Sequence, residues 1–216
     1  TWYEAVNQAP STKQTNNIAT AQTATANTAL VLTAGTGVTS GVTITRADTG
    51  ATVTGLLALD SAMTTIKFGS SGTVQIWDPR TAVSRCIGIT SNGADQTGTY
   101  TIAGFDIYGF PMTQAVTGGA GTAGTTVLVT STKAFKYVQS VTPAGTVNST
   151  GVVVGTLDVF GFPLRADDFG HVDLSFNGIF STGAAGTFTA AVTTAATTTS
   201  GDVRGTFAIA TASDAV

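Results

Sequence analysis

One cysteine, one histidine and one glutamate in 216 residues leave little from which to build an active site. The thiol, Cys86, has no partner in its own chain, and within Val83-Ser84-Arg85-Cys86-Ile87-Gly88-Ile89 it reads as a buried small hydrophobe. Charge is scarce too: charged residues make up 10%, Lys and Arg together number nine, and the formal charge is −3. That balance argues against nucleic acid or an anionic membrane surface as a partner. No stretch approaches the roughly eighteen consecutive apolar residues of a membrane-spanning helix. The start, Thr1-Trp2-Tyr3-Glu4, lacks the basic region and apolar run of a signal peptide, as a processed N-terminus would also.

What the chain has instead is threonine, about one residue in five, with 26 glycines and abundant alanine and valine. β-Branched residues fit a pleated, half-buried surface, and frequent glycines punctuate it with turns. A chain of this length buries roughly 70% of its unfolded surface and needs no metal or disulfide for a core. The expected class is all-β, a Thr/Gly-rich antiparallel β-sandwich or two tandem ones. Residues 1–27 hold little to bury apart from Trp2, Tyr3, Val6 and Ile18. They are expected to form an extended N-terminal arm that orders on another surface, with Trp2 and Tyr3 as anchors. Residues 28–216 are the sandwich, with a subdivision, if there are two, near residue 95 in the loop Ser91–Gln96.

Strand signals follow at Leu30–Leu32, Val42–Thr45, Val53–Leu59, Cys86–Thr90, Thr99–Ile102, Thr125–Thr130, Phe135–Val141, Val152–Val154, His171–Phe176, Phe188–Val192 and Phe207–Ile209. Thr65–Phe68 and Val74–Trp77 flank a glycine-containing loop and read as a hairpin. Pro143-Ala144-Gly145 reads as a turn. The Ala-rich stretch 184–196 is broken by glycine and threonine, which makes a helix there the weaker reading.

Three motifs touch on chemistry. Gly119-Ala120-Gly121-Thr122-Ala123-Gly124 matches a dinucleotide fingerprint by letters, but a strand rather than a helix is expected to follow, so a flexible hairpin loop is the reading. Asp167, Asp168, His171 and Asp173 cluster in one segment. A solvated turn in which Arg165 pairs with an acid is the plain account, and weak Ca²⁺ binding the alternative. Asn148-Ser149-Thr150 fits a glycosylation acceptor, relevant only to a secreted eukaryotic protein. No catalytic residue, metal site or cofactor is expected, and the chain reads as a non-enzyme.

One heptad occurs twice: Asp106-Ile107-Tyr108-Gly109-Phe110-Pro111-Met112 and Asp158-Val159-Phe160-Gly161-Phe162-Pro163-Leu164. Glycine admits positive φ, proline fixes its own, and the residue before proline is pushed to extended geometry. Each copy is therefore expected to be a sharp turn bent at Gly109 or Gly161, the two marking equivalent corners of a sandwich. Such turns are ordinarily polar, whereas these are aromatic. Tyr108, Phe110, Phe160 and Phe162 either fill their own core or anchor a partner, and composition does not decide between the two.

Several segments, in order, resemble a family of tailed-bacteriophage virion proteins. They are Ile89-Thr90-Ser91, Gly98 to Asp106, Thr113-Gln114-Ala115-Val116-Thr117, Thr132 to Pro143, Gly151 to Gly155 and Gly201 to Phe207. The resemblance covers about residues 83–207, more loosely from 29, and departs from the family at the aromatic tips, where relatives are polar. It implies a head cement or decoration protein that binds assembled major capsid protein on the outer surface of the head. A homo-oligomer is also implied, and a trimer suits three-fold positions of an icosahedral shell. A tail or baseplate component, or a receptor-binding adhesin, is the alternative.

Overall fold

The computed structural model describes residues 11–60, 65–68, 72–75, 83–93, 95, 97–122, 124–147, 150–163, 165, 175–176, 179–180, 186–192 and 201–210, and every structural statement below refers to these. They hold fifteen strands and no helix, all paired antiparallel. The first sheet runs β2 (Val38–Thr45), β3 (Thr52–Leu59), β10 (Tyr137–Gly145), β7 (Gly98–Phe105), β8 (Pro111–Thr117). The second runs β14 (Gly186–Thr189), β15 (Thr206–Ile209), β11 (Val152–Gly161), β6 (Ser84–Ser91), β9 (Val127–Thr130), with β1 (Ala19–Gln22) also on β11. Two separate hairpins are β4 (Thr65–Phe68) with β5 (Gly72–Gln75) and β12 (Ser175–Phe176) with β13 (Ile179–Phe180). The fold is an all-β sandwich, as composition leads one to expect.

Its main core lies between the sheets. Ile87, Ile89, Val152 and Val154 from the second sheet meet Tyr100, Ile102, Leu57, Leu59, Val138 and Val141 from the first. Alternation puts them there: in β7, Tyr100 and Ile102 are buried while Thr99, Thr101 and Ala103 are less so. The first sheet also curls, closing its other face around Ile44, Leu56, Ala58, Phe105 and Tyr137. That second cluster explains why Leu56-Leu57-Ala58-Leu59 is apolar without alternation, since successive side chains enter opposite cores. Each such side chain, fully buried, contributes about 1.5–3 kcal/mol.

Several expectations are corrected. Residue 95 divides nothing, because strands before and after it alternate within both sheets. Residues 11–27, expected as an arm on another surface, lie on their own sandwich: Ile18 N–H donates to the Val154 carbonyl, and Ala19 stands opposite Val154. The physical reason is Asn17. Its Oδ1 accepts from Thr156 N (3.0 Å), while Nδ2 donates to Thr36 O (2.9 Å) and Thr156 Oγ1 (3.1 Å), so a polar segment gains a buried, satisfied anchor. Leu30–Leu32 is not a strand, although Leu30 enters the core and its N–H donates to Val141 O (2.9 Å). Pro143 and its neighbours continue β10 instead of turning. The Pro143 carbonyl accepts from Asn27 N (2.7 Å) on the edge away from β7, so the missing N–H costs no bond with β7. Gly186–Thr189, where a helix was the weaker reading, is a strand.

The repeat extends beyond the heptad. Pairs Val153↔Thr90, Val154↔Ile89 and Gly155↔Gly88 join β11 to β6, and Thr101↔Thr142, Ile102↔Val141 and Ala103↔Ser140 join β7 to β10. Moving each first-ladder residue by 52 positions, the spacing of Asp106 and Asp158, turns one set of pairs into the other. The strand before each heptad therefore pairs with the strand that opens the other copy. Asn17→Ala tests the N-terminal lock. It leaves the Thr156 amide buried without an acceptor and is expected to lower unfolding free energy in urea by about 1–3 kcal/mol.

Candidate interaction surface

In the first heptad the chain reverses between β7 and β8. Asp106 makes the turn, its N–H donating to Phe110 O (3.0 Å) and its Oδ1 accepting from Tyr108 N (2.8 Å) and Phe110 N (2.9 Å). Gly109 takes φ +84°, and a Cβ there would stand 2.9 Å from Thr45 O. Its carbonyl accepts from Ala47 N (3.0 Å), docking the turn on the β2–β3 connection. The other carboxylate oxygen of Asp106 binds Arg204, whose guanidinium also lies over the Tyr108 ring, 5.2 Å from its centroid. Tyr108 donates its hydroxyl to Pro163 O (2.7 Å), so the first heptad is tied to the end of the second. Burial pushes the Tyr108 phenol up.

The second heptad does not turn at its glycine. Asp158 to Gly161 complete β11, and Gly161 is absent from the positive-φ region. In a strand, residues two apart share a face, so Asp158 and Phe160 both address Arg85 on β6. Arg85 Nη2 donates to Asp158 Oδ1 (2.8 Å), and its guanidinium lies 4.9 Å from the Phe160 centroid. Both copies therefore do the same thing by different backbones: an aspartate and the aromatic two residues on grip one arginine. A desolvated cation–π contact of this kind adds about 1–2 kcal/mol.

Arg85 is 1% exposed, so its charge must be met inside. Besides Asp158, Nη1 donates to Ser11 O (2.5 Å) and Asp60 Oδ1 (3.2 Å), and Nε to Leu157 O (2.8 Å), where the β6–β11 ladder loses register. Nearby Lys136 donates to Leu59 O (2.8 Å), and burial lowers its ammonium to about 8 against an attraction to Asp60 that works the other way. Asp202 accepts from Ala134 N (2.9 Å) and Arg204 N (2.8 Å), and burial still raises its carboxyl above the usual range.

The four aromatic candidates divide. Phe110 (49% exposed) and Tyr108 (38%) stand at the surface. Phe160 and Phe162 are half-buried: Phe160 is opposite Phe207 in the ladder, and Phe162 meets the Phe188 ring edge-on at 5.7 Å. Trp2 and Tyr3 lie outside the described residues, as do Asp167, Asp168, His171, Asp173 and Asn148. Arg165 donates to Val203 O (3.4 Å), and the acids it was expected to pair with lie outside the described residues. Cys86 is buried, which pushes its thiol up to about 12 and makes it a poor nucleophile at neutral pH. The glycine-rich run 119–124 crosses from β8 in one sheet to β9 in the other, so it is no hairpin loop, and a strand follows it. Thr90, Ser91, Asn92, Thr126, Thr150 and Gly151 line a shallow open depression of about 270 Å³. Arg85 and Arg204 went unrecognised as partners of the heptads, and no local pattern marks contacts 73 and 98 positions apart.

Arg85→Met takes the guanidinium away from buried Asp60 and Asp158 and is expected to destabilise by about 3–5 kcal/mol. The exposed pair Arg46–Asp48 is the control, and Arg46→Ala should leave the denaturation midpoint in place. Lys136 gives a pH signature. The unfolded chain holds that proton up to about 10.5 and the folded one releases it at about 8, so stability rises with pH through this window and is lost as pH falls through 8. Cys86 acts oppositely above its ordinary range, so the readout is wild type against Lys136→Met, where the wild type should gain on the order of 1 kcal/mol per pH unit between 8 and 10. No family model, curated protein or solved structure matches this chain, and its functional reading rests on its own residues.

Proposed function

We propose that this chain is a structural protein of a tailed-bacteriophage virion, a head cement or decoration protein that binds the assembled major capsid protein. The ordered resemblance over residues 83–207 supplies the class. One observation carries the contact: Phe110 is a large apolar side chain, 49% exposed, on a turn braced by Asp106, Arg204 and the β2–β3 connection. Rigid aromatic anchors dominate interface energies because little conformational freedom is lost when they are buried. Tyr108, with Arg204 on one face, widens the same tip. A protein that binds only the assembled shell stabilises it by mass action, since separating subunits also breaks the cement contacts. Several copies, or a self-associated ring at three-fold positions, multiply that effect without any new chemistry.

The test separates anchoring from folding. Phe110→Ala is expected to leave the melting temperature of the isolated protein unchanged and to weaken co-sedimentation with assembled capsids by at least tenfold, in line with about 2 kcal/mol for a hot spot. Phe162→Ala, which removes an intramolecular ring contact, should lower the melting temperature. Capsid binding by Phe110→Ala equal to wild type removes the anchor, and a wild-type protein that binds no capsid removes the cement role altogether. Hundreds of copies per virion fit the proposal, and a handful would point to a fibre or adhesin.

A further inference from the structure

The two heptads take different paths with nearly the same sequence, and local chemistry is not the difference. Each feature that closes the first turn has its counterpart in the second: Asp158 for the cap, Gly161 for the positive φ, Pro163 after the second phenylalanine. What differs is the company of the second copy. On one edge β6 pairs with it at Phe160↔Arg85 and Gly161↔Ser84, and along the other lies the hairpin of β14 and β15, with Val159↔Ala208, Phe160↔Phe207 and Gly161↔Thr206 paired and Phe162 N donating to Gly205 O (3.2 Å). Tertiary pairing of this kind routinely overrides local preference.

We infer that residues 158–163 are a turn-forming sequence held extended by the β14–β15 hairpin, which acts as a latch. When the hairpin lifts, the segment keeps only its last two pairs with β6, Phe160↔Arg85 and Gly161↔Ser84; it gives these up to close into the turn seen at 106–110, and Phe160 and Phe162 move out to a second aromatic tip equivalent to Tyr108 and Phe110. Asp158 need not give up Arg85 to do so. Asp106 shows that one aspartate can do both, capping two amides with one oxygen while the other holds Arg204. If Arg85 does lose that carboxylate, Asp60 and the carbonyls of Ser11 and Leu157 still meet its charge. The fold thus stores a second anchor beneath the hairpin. This inference does not depend on the capsid reading, and it is tested without a capsid.

The experiment weakens the latch and leaves β11 untouched. Ala208→Pro in the full-length chain removes an N–H from the middle of β15 and fixes its φ. Phe207→Ser, a second variant, removes the side chain opposite Phe160. The NMR shifts of Gly161 and Phe162 should move towards those of Gly109 and Phe110. Amide exchange at Val159 to Gly161 should rise at least tenfold while Ile87 and Ile89 keep their protection. Extended or random-coil shifts at Gly161 in both variants overturn the inference. So does loss of protection at Ile87 and Ile89 in both, because a latch that lifts only when the sandwich unfolds is not a latch.

Discussion

A buried guanidinium sets the terms for everything around it. Removing Arg85 from water costs several kcal/mol unless the charge is paired and its donors are used. The chain meets that demand from distant places: Ser11 in the N-terminal segment, Asp60 at the end of β3, and Leu157 and Asp158 on β11. One side chain on the second sheet thereby fixes the terminus of a strand in the first. The apolar core between the sheets makes association favourable, but hydrophobic burial is non-directional and tolerates small slides. The arginine does not, because its donors lie in one rigid plane. Stability comes mostly from the core, while the charge cluster selects which arrangement of the two sheets is populated.

That division explains what was legible in the sequence. Runs such as Val53–Leu59, Cys86–Thr90 and Val152–Val154 announce strands because burial acts residue by residue and leaves a periodic trace. Thr20, Ala21 and Gln22 announce nothing. They become β1 only because Asn17 finds Thr156, 139 positions away, and lays the segment along β11. Leu30 shows the converse, a core residue whose neighbours form no regular strand. At the candidate surface, the aromatic tips were visible as a repeated heptad, but the arginines that brace them were not. Pairings with Arg85 and Arg204 are set by topology, and topology is not local.

The edges of the sheets bear on how such a protein meets a partner. β2 is interrupted by two register shifts and by Gly41 at φ +70°, which break a continuous template for another strand. β8 is covered where the Gln114 side chain accepts from Thr132 N and Lys133 N and Lys133 reaches Thr113 O. β9 is four residues long. With β2, β8 and β9 blunted in this way, the proposed contact suits side chains at a braced tip better than a strand added to one of these edges.

The second heptad then asks why one sequence has two shapes. Both contain the cap, the glycine and the proline of a turn, so local free energies are nearly equal. A neutral hydrogen bond contributes about 0.5–1.5 kcal/mol and one to a charged group about 1.5–3. Arg85 and Arg204 each hold one aspartate oxygen, so an arginine contact of this kind accompanies either shape. The remaining differences are tertiary: β6 and the β14–β15 hairpin supply ladder pairs, the Gly205 carbonyl and two phenylalanine rings to the second copy, while the β2–β3 connection docks the first through Ala47 N and Gly109 O. A few such bonds outweigh a turn, whose amides are in any case capped by a single carboxylate. The extended shape of residues 158–162 is thus bound up with residues 84–85 on one side and 205–208 on the other, all distant in the chain.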